Sequence, residues 1–331
     1  MRADILVVGQ GLAGTLLAWE LERAGFSIAI ADGGHDGAAS RVGAGIINPV
    51  TGRRIVKCWR VDSLLPIARE TYRALESELG VSLWHELRVR RLYLDEGERR
   101  VLAEKQARGE LTEYAVATDG DGFWIEGAAR VDTSALIAAA RTRWMKAGVL
   151  REERVDISTV RQDHQLTIDC TGAAVRPAAA PGSFSFVPWQ YSKGESLTIA
   201  MDGLAQNVVL NRGHWVLPIG PGIARVGATH APARRDTVLT PEARATLEAS
   251  VRAMSPRTFT VTVHDAGVRV YLADKKPVVG RHPADPRVGV LNGLGAKGAL
   301  FAPTLARQWA SHLQRGTPFE RELDVARLWR G

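Results

Sequence analysis

DILVVGQGLAGTLLAWELERAGFSIAIAD, Asp4 to Asp32, is the stretch whose reading decides the fold. DILVVG is a continuous apolar run, the pattern of a parallel strand covered on both faces. Gly9-Gln10-Gly11-Leu12-Ala13-Gly14 follows at once and opens a helix over GLAGTLLAWELERAG that stops at Gly25, after which FSIAIAD returns as a second strand. In G-x-G-x-x-G the first glycine makes a tight turn and the second lets the backbone approach a pyrophosphate. The third allows close helix–strand packing, and the helix N-terminus offers free N–H groups and a positive dipole. Asp32 ends the second strand, where a carboxylate can take ribose hydroxyls; an acid there argues against a 2′-phosphate. The spacing predicts a dinucleotide unit built on Gly9, Gly11, Leu12, Ala13, Gly14, Asp32 and Gly33. NAD and FAD both fit this motif.

The chain has 331 residues, 45% hydrophobic and 24% charged, which is a globular composition with material for a large core. No apolar run approaches the roughly 18 residues that span a bilayer, and the N-terminal strand and glycine turn do not read as a signal peptide. Cys58 and Cys170 are the two cysteines and lie in separate segments, so neither a disulfide framework nor a metal cluster is expected. The expected location is the reducing cytoplasm, with no membrane partner; the oligomeric state is open. A net charge of +7 fits either an anionic partner or solvated surface charge.

Further along, DSLLPIARETYRALESELG reads as an amphipathic helix capped by Asp62 or Ser63 and stopped by Gly80. A charged helical piece is expected near 97–108 and a strong helix over 131–148. LREERVDIS and QLTIDCTG look like strands. From 184 to 230 short alternating segments split by Gly, Pro and Asn indicate antiparallel strands. TPEARATLEASVRAM is a helix with Thr240 as cap and Pro241 first. TFTVTV and VRVYLA read as two strands, VGVLNG as a last buried strand and ALFAPTLARQWASHL as a last helix. The pattern predicts an α/β nucleotide domain assembled from discontinuous pieces, with an inserted antiparallel sheet as substrate domain.

Three later segments, taken with the fingerprint, resemble the FAD-dependent D-amino-acid oxidase superfamily. ASRVGAGIINP, 39–49, resembles the small-residue loop that passes close to the flavin. Val155, in a strand that would flank the adenine, pairs with DCTGA, 169–173, which looks like the turn that returns past the cofactor. GVRVYLADKKPVVGRHPADPRVGVLNGLGAKGALFAPTLARQW, 267–309, is similar to the C-terminal signature of glycine oxidases. Its GLGAKG piece looks more like the oxidoreductase half of the bifunctional enzyme that makes 5-methylaminomethyl-2-thiouridine in tRNA, with Lys297 at an arginine position. The chain departs from that enzyme at Ile47-Asn48-Pro49 and carries no methyltransferase half.

The resemblance implies a Rossmann-like FAD-binding domain over residues 1–80, 130–180 and 265–331, and a substrate domain over 81–129 and 181–264. It implies FAD as cofactor, held by the fingerprint residues, Arg41, Gly43, Ala44, Gly45, Ile46, Val155, Thr171, Gly172 and the loop Gly293, Leu294, Gly295, Ala296, Lys297, Gly298. No obvious His or Cys stands in the early loops for covalent attachment, so non-covalent FAD is expected. Backbone N–H groups of the last glycine loop would stabilise negative charge on the reduced ring, with Lys297 adding to them or standing as a plain loop lysine.

Oxidation of an amine by flavin needs little acid–base machinery, only orientation and exclusion of solvent, so no histidine is assigned to catalysis; His214 is a chamber candidate. Arg269 matches, by resemblance, the arginine that holds a substrate carboxylate through two parallel hydrogen bonds. The alternative is pairing with Asp265 or Asp274. Tyr271, two residues on, points to the same face and could close the chamber. Trp189, Tyr191 and Trp215 could wall it or pack the sheet, and Lys193-Gly194-Glu195 reads as structural.

The expected reaction is oxidation of the C–N bond of a glycine-like amine or amino acid, by oxidase or dehydrogenase. The alternatives are removal of the carboxymethyl group from carboxymethylaminomethyl-uridine in tRNA and a flavin-binding protein without turnover. Arg53, Arg54, Lys57 and Arg60 have no acid among them in sequence; they read as phosphate contacts for a polynucleotide, as contacts to the FAD pyrophosphate, or as surface charge.

Overall fold

The computed structural model describes residues 3–34, 37–160, 163–174 and 183–330. Its first sheet forms around the quoted stretch. Strand β1 (Ile5–Val8) is buried along its whole length. It pairs in parallel with β2 (Ile28–Ala31) on one side and, on the other, with a strand late in the chain, Leu166–Asp169. Its residues alternate between two apolar layers. Ile5 and Val7 join the main core with helix α1 (Leu12–Arg23). Leu6 and Val8 pack with Ala31 against Val155, Ile157 and Val160. Burial on both faces is why the strand is an unbroken apolar run.

The chain then leaves the sheet. Short strand β3 (Ile46–Ile47) precedes helix α2 (Val61–Leu79), strand β4 (Trp84–Leu92), helix α3 (Glu96–Ala107), strand β5 (Gly122–Val131) and helix α4 (Thr133–Lys146). α2 starts one turn before the expected caps, on Arg60, and ends at Gly80. Asp95 and Asp132 cap α3 and α4 by accepting from Glu98 N and Ala135 N. LREERVDIS does not form the expected strand. Only β6 (Leu150–Arg151) pairs with β2; the polar Glu152, Glu153 and Arg154 follow unpaired, and Ile157–Val160 is a single helical turn. Val155 therefore stands in an irregular segment, its side chain against the first sheet.

β7 (Leu166–Asp169) returns to the first sheet, and the chain leaves again through β8 (Gln190–Ala200), β9 (Val208–Arg212), β10 (His214–Gly220), β11 (Ile223–Gly227), helix α5 (Pro241–Met254) and the long β12 (Thr260–Tyr271). The segments TFTVTV and VRVYLA are one strand here, because residues 264–267 between them pair with β8 in unbroken register; a bulge opposite Thr198/Ile199 falls earlier, at Thr262. β13 (Val278–His282), β14 (Asp285–Asn292) and helix α6 (Gly298–Arg315) close the chain.

The first sheet has strand order β13-β14-β7-β1-β2-β6. Trp309 of α6 lies on it over Gly289, where a Cβ would come within 2.5 Å of the indole. The second sheet runs β8-β11-β10-β9-β4-β5-β3, with β12 on the free side of β8, and is antiparallel except between β9 and β4. The chain is thus a mixed α/β fold with one mostly parallel and one mostly antiparallel sheet. Among the described residues no helix is long and apolar enough to cross a membrane.

Candidate active site

The glycine fingerprint is a packed cradle. Gly9 has φ +96°, and a Cβ there would stand 2.8 Å from the Cys170 carbonyl oxygen. A Cβ at Gly14 would overlap the Gly9 carbonyl and reach Cys170 at 3.3 Å. The turn, the first turn of α1 and the β7 end are therefore in backbone contact, as a pyrophosphate site requires. Gly11 caps α1 with no side-chain hydrogen bond and no acid in the first turn, which leaves its N–H groups available. Leu12 and Ala13 are buried beneath them. Thr171 N and Oγ1 donate to Asp169 Oδ1 at 2.9 and 2.7 Å, and Asn292 Nδ2 donates to the Gly172 carbonyl, fixing the turn beside Gly9.

Asp32 opens into a cleft of about 520 Å³ lined by Gly33, Arg41, Ser134 and Arg141 among others. Arg141, from α4, donates to Asp32 Oδ2 at 2.8 Å and to Gln10 Oε1 at 3.0 Å, and pairs with Glu152 at 2.6 Å. Arg41 stands 3.8 Å from the same aspartate oxygen. Sequence reasoning missed Arg141 and Gln10, since neither lies within the spacing of the motif.

Two loops meet β12 at its C-terminal end. Val268 N donates to the Gly37 carbonyl, and a Cβ on Gly267 would touch Val42 and Ala39. Gly43, Ala44, Gly45 and Ile46 continue this first loop, with Gly45 against the Val131 backbone and Ala44 and Ile46 packed on the core of the second sheet. The second loop, Gly293–Gly298, binds from the other direction: Gly295 N donates to the Val270 carbonyl at 3.0 Å. A Cβ on Gly298 would meet Leu12 at 3.3 Å, so the N-termini of α1 and α6 are neighbours. Leu294 is partly buried against the main core, Ala296 is exposed, and Lys297 caps α6 half-buried. Among the described residues no acid pairs with the Lys297 ammonium.

Arg269 is on the same strand. It lies directly opposite Ser192 of β8, as Tyr271 lies opposite Gln190 and Gly194 opposite Gly267, so these side chains share a face. Arg269 Nη2 donates to the Thr229 carbonyl at 2.9 Å. Burial lowers its pKa from the ordinary value, with Tyr271 working the other way. Neither acid weighed as its partner takes that part: Asp265 faces Arg225 at 3.8 Å and Asp274 pairs with Arg327 at 3.0 Å. Lys275 lies 3.8 Å above the Tyr271 ring. Trp215 reaches across Gly227 on this face toward Ser196, and Trp189 borders Gly293. His214 turns instead to Ser250 of α5, 2.8 Å from its hydroxyl. Lys193 and Glu195 point to the opposite face and pair at 3.2 Å, both nearly inaccessible.

Residues 4–312 match the family described as DAO, FAD dependent oxidoreductase. The chain belongs to that family. It is 29% identical over 334 residues to the tRNA 5-methylaminomethyl-2-thiouridine biosynthesis bifunctional protein MnmC of Maricaulis maris, covering 95% of this chain and 52% of that one, so it spans about half the length of that relative. It is 25% identical to the glycine oxidase of Bacillus licheniformis, covering 97% and 95% of the two chains. The glycine oxidase from Geobacillus kaustophilus has the same fold, with a TM-score of 0.79 at 21% identity over 98% of both chains. Iminodiacetate oxidase from Chelativorans sp. BNC1 superposes with a TM-score of 0.74 at 21% identity over 96% of both. The protein is an FAD-dependent oxidoreductase of that family. The donor set described above fits that cofactor: a glycine cradle with no space for Cβ atoms, an uncapped helix N-terminus and a carboxylate just after β2.

Three of the four cations of residues 53–60 form ion pairs, in keeping with the surface-charge reading. Strands Val50–Thr51 and Val56–Lys57 form a hairpin, and its cations Arg53 and Lys57 and the following Arg60 meet acids outside the cluster. Arg53 pairs with Asp95 at 2.9 Å, Lys57 with Asp62 at 2.6 Å and Glu113 at 3.1 Å, and Arg60 with Glu320. Of the four, Arg54 alone has no acid partner among the described residues.

Proposed function

We propose that the protein oxidises the C–N bond of a glycine-like primary or secondary amine that carries a carboxylate, the imine then being hydrolysed by water. The observation that carries this reading is Arg269: a half-buried guanidinium with no carboxylate partner among the described residues. Such a group favours an anionic ligand over leaving its charge uncompensated. In this reading Gly9, Gly11, Leu12, Ala13, Gly14, Asp32, Gly33, Arg41, Thr171 and Gly172 hold the ADP half of FAD. Residues 43–46 and 293–298 flank its ring, and Val155 supports the adenine side from beneath the sheet.

FAD, when bound, supplies the two-electron acceptor. The chain's own residues orient and shield. Arg269 fixes the carboxylate, Tyr271 and Trp215 bound the chamber beside it, and the first-turn backbone N–H groups of α6 face the growing negative charge with Lys297. Residues 1–80, 130–180 and 265–331 would then serve the cofactor, and 81–129 and 181–264 the substrate. The test is an anaerobic visible spectrum of the holoenzyme before and after glycine, sarcosine and iminodiacetate. Bleaching by one of them, with Arg269→Lys raising KM about 10- to 100-fold, is the expected result. A flavin that stays yellow with all of them removes the small-amine reading.

The MnmC relative favours one further reading, in which the same carboxylate belongs to a carboxymethylaminomethyl group on a tRNA uridine. Three of the four hairpin cations already have acid partners, so this reading rests on the relative and not on a free basic patch. Low-salt tRNA binding that weakens on neutralising Arg53, Arg54 and Lys57 would support it. Purified protein that does not retain tRNA at low salt would dismiss it.

A further inference from the structure

His230 follows Thr229, whose carbonyl holds Arg269, and its Nδ1 lies 2.6 Å from the Ser192 hydroxyl oxygen. Ser192 is only 1% exposed and stands directly opposite Arg269 in the β8–β12 pair. The serine hydroxyl has one proton and two acceptors in reach, Nδ1 at 2.6 Å and the Lys193 carbonyl at 3.3 Å. In the tautomer that leaves the outer nitrogen basic, the hydroxyl donates to the carbonyl and Nδ1–H donates to Oγ. Nε2 then keeps its lone pair, on a ring whose residue is exposed to solvent.

We propose that His230 Nε2 is the base that removes the proton from the substrate ammonium once its carboxylate is on Arg269. This rests on the reading of Arg269 as the carboxylate site. An α-ammonium cannot form a C=N bond until its nitrogen lone pair is released. The ammonium loses H⁺ to Nε2, giving an imidazolium and a neutral amine. The released pair can then form the C=N bond as the α-carbon loses its hydrogen with two electrons, which FAD, the oxidant of the family, would accept. The imidazolium then returns its proton to bulk water.

The electrostatics suit the task. Partial burial, then the Arg269 and Lys275 cations, hold the imidazole below its ordinary pKa. The ring is therefore neutral and ready near pH 7. Ser192 is its hydrogen-bonding neighbour from β8, Arg269 acts on it from β12 and Lys275 from the turn that follows. A carboxylate bound to Arg269 cancels one of those charges and so makes the ring more basic as the ammonium arrives. The same cations lower the proton affinity of the ammonium.

The experiment compares wild-type holoenzyme with His230→Gln by anaerobic flavin reduction from pH 6.5 to 10, using the amine that bleaches the wild type. Binding of acetate, a carboxylate without an amine, is followed by the flavin spectrum. General-base removal predicts a loss of about 10²-fold near neutral pH. That loss should shrink as the solution itself deprotonates the amine, with acetate binding unchanged within about twofold. Ser192→Ala should show a smaller loss of the same pH shape. In a separate readout, ¹⁵N NMR of the wild-type imidazole should show Nδ1 protonated and Nε2 bare at pH 7.5. A loss equal at all pH values, no loss at all, or an Nε2–H tautomer would overturn the proposal while leaving the Arg269 reading intact. Failure of every carboxylate amine to reduce the wild-type flavin would overturn both.

Discussion

Gly194 lies directly beneath the Arg269 guanidinium: a Cβ built on it would stand 2.4 Å from Nη2 and 3.0 Å from the Thr229 carbonyl oxygen that Nη2 binds. The backbone of Gly194 is not in the left-handed region, so any residue could adopt its conformation. Its small size is therefore set by the arginine. Gly194→Ala should fold and retain FAD, yet displace Arg269. We expect KM for a carboxylate amine to rise, with kcat/KM falling about 10²-fold. Unchanged steady-state constants in the alanine variant would separate Arg269 from substrate binding.

Asp32 and Arg141 make a second testable pair. Arg141 orients the carboxylate at 2.8 Å while also holding Gln10 of the glycine turn. Arg141→Gln should weaken FAD binding roughly 10-fold, since losing a charge-assisted bond costs about 1.5 kcal/mol or more. Fluorescence titration of apoprotein with FAD measures it. FAD should also be released on denaturation, in keeping with non-covalent attachment.

Lys297 offers a redox prediction. Its ammonium is half-buried at the N-cap of α6, next to the loop that binds β12 through Gly295. Lys297→Met should lower the flavin midpoint potential by about 30 mV, equivalent to a tenfold change for two electrons. Sulfite affinity of the oxidised flavin should fall in parallel. An unmoved potential would make Lys297 an ordinary loop lysine.

Glu195 tests stability. Burial works against its charge, but the Thr240 N–H and hydroxyl and the Lys193 ammonium outweigh that and hold its pKa below the usual carboxylate value. A depressed carboxylate contributes stability above its unfolded pKa, about 4.3, and loses it as pH falls through the folded value. Glu195→Gln should cost roughly 1–2 kcal/mol at pH 7, because the buried Lys193 loses one charged partner and keeps Asp236 at 3.1 Å and the Val238 carbonyl at 2.6 Å. The gap from wild type should close below about pH 4. Thermal unfolding as a function of pH reads both.

Much of this was legible in the residues. The β1–α1–β2 unit follows from an apolar run, three glycines and an acid, all local signals within residues 4–32. Arg269 and the glycine loop also lie close in sequence, so one signature carried both. What stayed hidden depends on long-range pairing. Ser192 meets His230 across 38 positions, and Arg60 meets Glu320 across 260. The cation cluster looked unpaired because its acids come from other elements. LREERVDIS misled because strand propensity matters only where an edge is available, and β2 offers partners to Leu150 and Arg151 alone.

β12 has a consequence for how new specificities can arise. Its last residues contact the loop after Gly37 through Val268 and the loop at Gly295 through Val270, and they carry Arg269 and Tyr271 of the proposed chamber. Diversification of these positions would disturb flavin retention and substrate choice together, so a library built there should return mostly apoprotein. Trp215 on β10 faces the proposed chamber without touching either loop's anchoring bonds. Directed evolution toward bulkier amines has its room there.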